Sequence, residues 1–379
     1  MKRLSVLLTI AILLGSVFGV CSNAVEFTAE SDAKSLILIE AETGKVLYEK
    51  DADLTLPPAS VTKVMTMLLV MEAIDSGLIS YDDMVTVSEN AASMGGSQVF
   101  MQAGEQFSVH EMLKCVVVSS ANDACVALAE YIAGSEEAFV EKMNARAAEL
   151  GMTHTFFENT NGLDDTTVNH MTTARDIATM SAELITKHPK ILEYSSIWMD
   201  SIRNGEFGLT NTNRLIRFYN GANGLKTGST ARAKFCISAS AKRGDMQLIC
   251  VVMAAETRDS RNEIAKKLFD YGFANYTYEN FPAQELEEMR VLGGKSATVP
   301  LSYEGYDFVT DKVNAGKTEC KITLPESVKA PVKAGDEIGK VVYELNGEVV
   351  AERPITAAAD VERVGFYDVL YRMFKSFLY

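Results

Sequence analysis

Leu56-Pro57-Pro58-Ala59-Ser60-Val61-Thr62-Lys63 is the stretch on which the reading of this chain turns. The Pro-Pro pair forces an extended approach, and the residues that follow predict a helix over Ser60 to Ser76. Its Val, Met and Leu residues lie on nearly every face, which implies burial inside a domain. Ser60 and Lys63 are three apart, so on a helix they share a face one turn apart. Ser60 in the first turn also meets the positive end of the helix dipole, which favours developing negative charge. A serine hydroxyl is a poor nucleophile until a base takes its proton. A lysine can be that base only if burial or a neighbouring cation lowers its pKa, and Lys63 is embedded among Val61, Val64, Met65 and Met67. Alone, a Ser-x-x-Lys match is weak, because about one or two arise by chance in a chain of this length and composition.

Two further clusters follow in order. Ser120 and Asn122 lie at a break between helical stretches predicted at Val109–Val118 and Asp123–Ala133. Residues i and i+2 of a loop point the same way, so Ser120 can relay a proton to a leaving nitrogen while Asn122 holds a substrate amide. The alternative is capping of the helix that begins at Asp123. Lys226-Thr227-Gly228 then opens a predicted strand after Gly221 and Gly224. An edge strand there can take a peptide as an additional strand, Gly228 admits a close backbone, and Lys226 supplies a cation near Lys63. Three such clusters in sequence order weaken the chance explanation of each.

Around them, Ser35–Glu40 and Lys45–Tyr48 flank a turn and predict a hairpin. Helices are expected at Glu136–Leu150, Thr172–Lys187 and Ser260–Phe273, and Lys226–Ala255 reads as two strands joined at Lys242-Arg243-Gly244-Asp245. Strands at both ends with helices between them indicate an α+β domain with an antiparallel sheet. Beyond Tyr278 short alternating segments at Ala297–Leu301, Glu319–Leu324, Val341–Leu345 and Val349–Arg353 predict a small all-β domain. The tail from Val361 returns to helical periodicity. Asp368, Arg372, Lys375 and Ser376 occupy one sector of it, opposite Phe366, Tyr367, Leu370, Met373, Phe374, Phe377 and Leu378. That pattern suits a helix lying in a membrane interface rather than crossing it, the alternative being a helix packed on protein. The expected division is 1–24 signal peptide, 25–279 catalytic domain, 280–358 β domain and 359–379 membrane-associating helix.

The leader reading rests on Lys2-Arg3, an apolar run from Leu4 to Val20 and the small-x-small Ser22-Asn23-Ala24, so the body of the chain is expected to be exported. A net charge of −15 argues against nucleic acid as a partner, since the phosphate backbone would be repelled. Past residue 24 five cysteines remain, an odd set with neither zinc nor redox spacing, expected to be small buried hydrophobes with no essential disulfide. None of the four histidines forms an HExxH pair, Gly294-Lys295-Ser296 lacks the first P-loop glycine, and no metal or cofactor is expected.

With these motifs the whole chain resembles the low-molecular-mass penicillin-binding proteins of the serine-type D-alanyl-D-alanine carboxypeptidase family. Ser120-Ala121-Asn122-Asp123-Ala124 and Asn161-Gly162-Leu163-Asp164 also look like that family. The resemblance implies a penicillin-binding/β-lactamase-like serine transpeptidase domain, followed by a small β domain and an amphipathic helix at the outer face of the cytoplasmic membrane. It implies removal of the terminal D-alanine from peptidoglycan stem peptides ending in D-Ala-D-Ala, and inhibition by β-lactams. Ser60 would be acylated, with Lys63 the general base and Ser120 and Lys226 handling proton transfer and electrostatics. The N–H groups of Ser60 and Ser229 would form the oxyanion hole, and Thr227 with an arginine would bind the terminal carboxylate. Counting along Thr-x-x-x-Arg selects Arg261, with Arg258 a nearby rival. Ala121 stands where related sets carry Asp. The absence of a Glu-x-x-Leu-Asn stretch implies slow release of penicillin. Competing readings are a β-lactamase, a DD-endopeptidase or a non-catalytic penicillin sensor.

Overall fold

Ser35-Leu36-Ile37-Leu38-Ile39-Glu40 forms strand β1, buried at every position, and pairs antiparallel with β2 (Val46–Lys50). The Glu40 carboxylate closes the connecting turn by accepting from the Thr43 N–H and hydroxyl, both at 2.8 Å. The computed structural model describes residues 31–377, with side chains as far as Tyr371, so the expected signal peptide at 1–24 lies outside the described residues.

Three more strands, β3 (Ala222–Thr230), β4 (Lys234–Arg243) and β5 (Met246–Ala255), complete an antiparallel sheet of order β2-β1-β5-β4-β3. The turn expected near Gly244 is present, with Gly244 at φ +60°. The expectation of only two strands between Lys226 and Ala255 fails: a second turn at Ala231–Ala233 divides β3 from β4, and β3 begins four residues before its motif. No glycine or proline marks that break. The Thr230 hydroxyl closes it by accepting the Ala233 N–H at 2.9 Å, a side-chain mimic of a backbone turn. The consequence is that β3 lies at the sheet edge, paired with β4 on one side only.

Helix α1 (Lys63–Asp75) is enclosed as its all-round apolar pattern predicts, with Val64, Met65, Met67, Leu68 and Val70 fully buried. Burying each such side chain is worth about 2 kcal/mol. Ser60 does not sit in its first α-helical turn. Ala59–Thr62 forms a tighter 3₁₀ turn ahead of it, with Ala59 at φ +49° and the Thr62 hydroxyl donating to the Ala59 carbonyl at 2.8 Å. Around α1 pack α2 (Val109–Ser119), α3 (Asn122–Ala133), α4 (Glu136–Glu149) and α5 (Ala174–Lys187), while α6 (Arg258–Asn275) packs on the sheet. Ser108 with Glu111 and Thr257 with Ser260 form reciprocal caps that start α2 and α6. Cys115, Cys125, Cys236 and Cys250 are buried as expected, and Cys320 is exposed.

The strand Tyr276–Phe281 continues from α6 across the expected 279/280 boundary and pairs with Tyr306–Asp311. The β region it enters holds strands Thr318–Thr323, Glu337–Leu345 and Glu348–Ala357 around a core of Val341, Tyr343 and Ile355. Bridges from Val332 to Val361 and Gly294 to Arg363 carry it five residues past the expected end at 358. Helix α7 (Phe366–Phe377) follows, and Phe366, Tyr367, Leu370 and Tyr371 are exposed on it.

Candidate active site

The Ser60–Lys63 turn, the α2–α3 break and the edge strand β3 converge on one cavity of about 590 Å³, whose lining includes Ser60, Ser120, Thr227, Gly228, Ser229, Arg258 and Arg261. Lys63 lies behind this wall, fully buried. Its Nζ meets three oxygens: Ser60 Oγ at 3.1 Å, Asn122 Oδ1 at 2.6 Å and the Asn161 carbonyl at 2.8 Å. Asn122 Oδ1 and the Asn161 carbonyl can only accept, whereas the serine hydroxyl also carries a hydrogen to give. The ammonium satisfies all three by donating, and once neutral the amine keeps its two donations to the carbonyls and turns its lone pair on Ser60. Burial drives Lys63 towards that neutral state: desolvation pulls its pKa down to about 8, against the pull of Cys125 and Asp123 in the other direction.

Lys226 is also fully buried, on β3, and donates to the Thr227 carbonyl at 2.9 Å. Burial, then the charge of Lys63, then that of Arg261 hold its pKa well below the usual lysine range. The expected second lysine is thus close enough to Lys63 for their charges to interact, although burial is what lowers the pKa of Lys63 itself.

Ser120 closes α2 in the left-handed conformation, φ +63° and ψ +28°, which costs a non-glycine residue about 1 kcal/mol. Ala59, immediately before Ser60, shares that region of φ. Such strain persists only where the surroundings over-determine it. Behind Ser120, the buried Asp123 carboxylate accepts the N–H groups of Val99 and Met101 at 3.1 and 3.0 Å, tying the Gly95–Met101 loop to α3.

Two expected roles change. Asn122 does not line the cavity: it is 1% exposed, accepts from Lys63 and donates from Nδ2 to the Gly95 carbonyl at 2.7 Å. Residues i and i+2 diverge here because Asn122 is already the first residue of α3. Gly228 is close to backbone, but to this chain's own. A Cβ there would meet the Pro58 carbonyl oxygen at 2.8 Å and the Ser60 and Val61 nitrogens at 2.9 and 3.0 Å. Glycine lets β3 lie directly against the turn that carries Ser60.

Arg261, in the first turn of α6, is 2% exposed and donates to Asn262 Oδ1 at 2.9 Å and to the Cys236 carbonyl at 3.3 Å. Burial lowers its pKa to about 10, with smaller contributions from other groups including the positive charges of Arg258 and Arg214. Both rivals, Arg258 and Arg261, reach the cavity, and so does Arg214. Sequence reading missed Arg214, together with Trp198 and Phe218 on the same wall, because no motif marks the segment that carries them. Thr227 donates its hydroxyl hydrogen to Thr212 Oγ1 at 2.7 Å.

A serine and a buried lysine of lowered pKa, held together at the free edge of an antiparallel sheet, define a serine acyl-transferring enzyme of the penicillin-binding type. The chain belongs to the D-alanyl-D-alanine carboxypeptidase family, whose model matches residues 22–257, and a model described as the C-terminal domain of penicillin-binding protein 5 matches residues 280–363. It is 45% identical to the D-alanyl-D-alanine carboxypeptidase DacF of Bacillus subtilis (strain 168), over 90% of this chain and 89% of that one. It is 36% identical to DacC of Escherichia coli (strain K12), over 92% and 90%. Among solved structures, penicillin-binding protein 5 of Haemophilus influenzae superposes with a TM-score of 0.78 at 32% identity, covering 88% of this chain and 99% of that one. Penicillin-binding protein D2 of Listeria monocytogenes, in its ampicillin-bound form, gives 0.59 at 31% identity, covering 64% and 98%.

Proposed function

We propose that this serine peptidase removes the terminal D-alanine from peptidoglycan stem peptides ending in D-Ala-D-Ala, and that β-lactams acylate the same serine. The observation that carries the proposal is the contact of Ser60 Oγ with a buried Lys63 Nζ whose other two partners are carbonyl oxygens. The substrate backbone pairs with the open edge of β3. Its carboxylate meets Thr227 and the arginines at the end of the cavity, with Arg261 held ready by Asn262. Lys63 takes the Ser60 proton as Oγ attacks the penultimate carbonyl. The N–H groups of Ser60 and Ser229 receive the oxyanion, each such donor being worth about 3 kcal/mol in comparable sites. The C–N bond breaks, Ser120 in the cavity lining relays to the leaving amine the proton that Lys63 took, and water then hydrolyses the ester.

The leader at 1–24 and the exposed aromatic residues of α7 support export and residence at the outer face of the cytoplasmic membrane, with α7 lying in the interface. Among the described residues no helix is long and apolar enough to cross a membrane. Binding of the full chain to anionic vesicles, lost when residues 366–379 are removed, is the corresponding test.

For the chemistry, the purified protein is mixed with a fluorescent penicillin and the label located by peptide mass. Label on Ser60, absent in Ser60→Ala, together with release of D-alanine from a D-Ala-D-Ala tripeptide, is the expected result. Label elsewhere refutes the assignment. Rapid penicillin hydrolysis points to a β-lactamase, cleavage of a cross-linked dimer to an endopeptidase, and acylation without peptide turnover to a sensor.

A further inference from the structure

Acyl transfer by Ser60 and Lys63 uses no histidine, yet His170 is 2% exposed and bonded through both ring nitrogens inside the catalytic region, alone among the chain's four histidines in being buried. Its Nδ1 accepts the Glu158 N–H at 3.0 Å. A backbone N–H can only donate, so the ring hydrogen must sit on Nε2. Nε2 therefore donates to Thr62 Oγ1 at 2.7 Å, and Thr62 in turn donates to the Ala59 carbonyl at 2.8 Å. Every bond in this chain has one direction. Burial lowers the pKa of His170 to about 4 against the nearby carboxylates of Glu158 and Asp164 and with the help of Arg232, so the ring stays in this one neutral tautomer at neutral pH.

The two ends of the chain matter. Ala59 is the residue before Ser60, at φ +49°. Glu158 opens the segment that delivers the Asn161 carbonyl to Lys63 Nζ. That segment also abuts α1 and the same turn: Thr66 of α1 donates to the Thr160 carbonyl at 2.6 Å, and a Cβ on Gly162 would lie 1.9 Å from the Ala59 oxygen. The Glu158 carboxylate closes its far end by accepting the Val168 N–H at 2.8 Å.

We infer that His170 is a positioning residue for acyl transfer: through Thr62 it sets the register between the turn that carries Ser60 and the segment whose Asn161 carbonyl orients Lys63. This rests on the Ser60–Lys63 reading above. A misregister leaves the substrate groove on β3 intact but turns the lysine lone pair off the serine, so the effect belongs in the acylation step and not in binding.

The test compares His170→Phe, which keeps an aromatic ring and removes both nitrogens, with Thr62→Val and Thr62→Ser in the full chain. Rates are expressed per site titrated to completion by fluorescent penicillin, which discounts unfolded protein. His170→Phe and Thr62→Val are expected to lower kcat on a D-Ala-D-Ala tripeptide and the penicillin acylation rate by about ten- to hundredfold, with KM within about threefold of the parent. Thr62→Ser, which keeps the hydroxyl, restores the rate to within about threefold. The double variant should be no slower than the slower single, because both break one chain of bonds. Parent-like acylation in either variant, a loss carried by KM, or additive losses overturn the inference. If His170→Phe yields no titratable sites, Thr62→Val and its serine counterpart decide the matter alone. Failure of the parent itself to label Ser60 would instead count against the underlying reading.

Discussion

Replacing Gly228 by alanine places one methyl group where β3 touches the nucleophile's turn. That methyl would sit 2.8 Å from the Pro58 carbonyl oxygen, 2.9 Å from the Ser60 nitrogen and 3.0 Å from the Val61 nitrogen. All three are backbone atoms, so no side chain can swing aside. Restoring ordinary contact near 3.5 Å requires β3 and the turn to part by about 0.7 Å at the tightest point. Ser60 Oγ, the Ser60 N–H and the Ser229 N–H then no longer hold the mutual spacing that a tetrahedral intermediate needs. Since a 1 Å misplacement costs roughly a hundredfold, the expected fall in acylation is about tenfold or more. The overpacking should also destabilise the fold by about 1–3 kcal/mol. Gly208→Ala is the control, because a methyl there has nothing within 4 Å. The assay is the second-order rate of labelling by fluorescent penicillin, with urea denaturation alongside. Labelling within about threefold of the parent, in a protein of unchanged stability, would refute the claim that contact between β3 and the turn sets the reactive geometry.

Two further outcomes follow from the buried amine. The neutral form of Lys63 is the reactive one and its pKa is about 8, so penicillin acylation measured by stopped flow should rise about tenfold per pH unit below that value and level off above it. A profile flat from pH 6 to 9 would contradict a lysine base. Because the folded pKa lies below the unfolded 10.5, the unfolded chain binds the extra proton between about pH 8 and 10.5, and stability rises with pH through that window. At pH 7 the buried amine thus costs the fold about 3 kcal/mol. Lys63→Met should be inactive yet more resistant to urea than the parent at pH 7, with the gap narrowing as the pH approaches 10.

The residues whose chemistry repeats at short spacing were legible in the sequence. Ser60 and Lys63 meet because three residues make one turn, so the pairing holds whether that turn is α or 3₁₀. The all-round apolar pattern of α1 announced its burial for the same local reason. What depends on distant chain segments was not legible. The Asn161 carbonyl reaches Lys63 across 98 residues of sequence, and a backbone acceptor leaves no side-chain signature. Asn122 was assigned to substrate because its type suits an amide, but the start of α3 turned it towards Lys63. The break between β3 and β4 was hidden because a threonine hydroxyl, not a glycine or proline, makes that turn. His170 lacked any metal or catalytic spacing to mark it. Its partners are Glu158 twelve residues before it and Thr62 a further 96 residues back, and only folding brings them to one ring.

An unpaired strand edge is ordinarily a liability, since it will accept any extended chain. Here the edge of β3 borders a cavity, with Trp198 and Phe218 on the wall and Arg214, Arg258 and Arg261 lining it. A free edge alone would bind an internal stretch of peptide as readily as a terminus. The guanidinium groups change that balance, because Arg261 is buried beside the cavity against two neutral acceptors, Asn262 Oδ1 and the Cys236 carbonyl, and a chain terminus brings it an anion. A chain that ends there supplies that carboxylate, and a chain passing through does not. On the proposed reading the edge sets the register of the substrate, the arginines meet its terminus, and Ser60 beside Lys63 takes the carbonyl between them. Selectivity for the last peptide bond follows, on that reading, from the spacing between Ser60 with its buried lysine and the arginines that line the cavity.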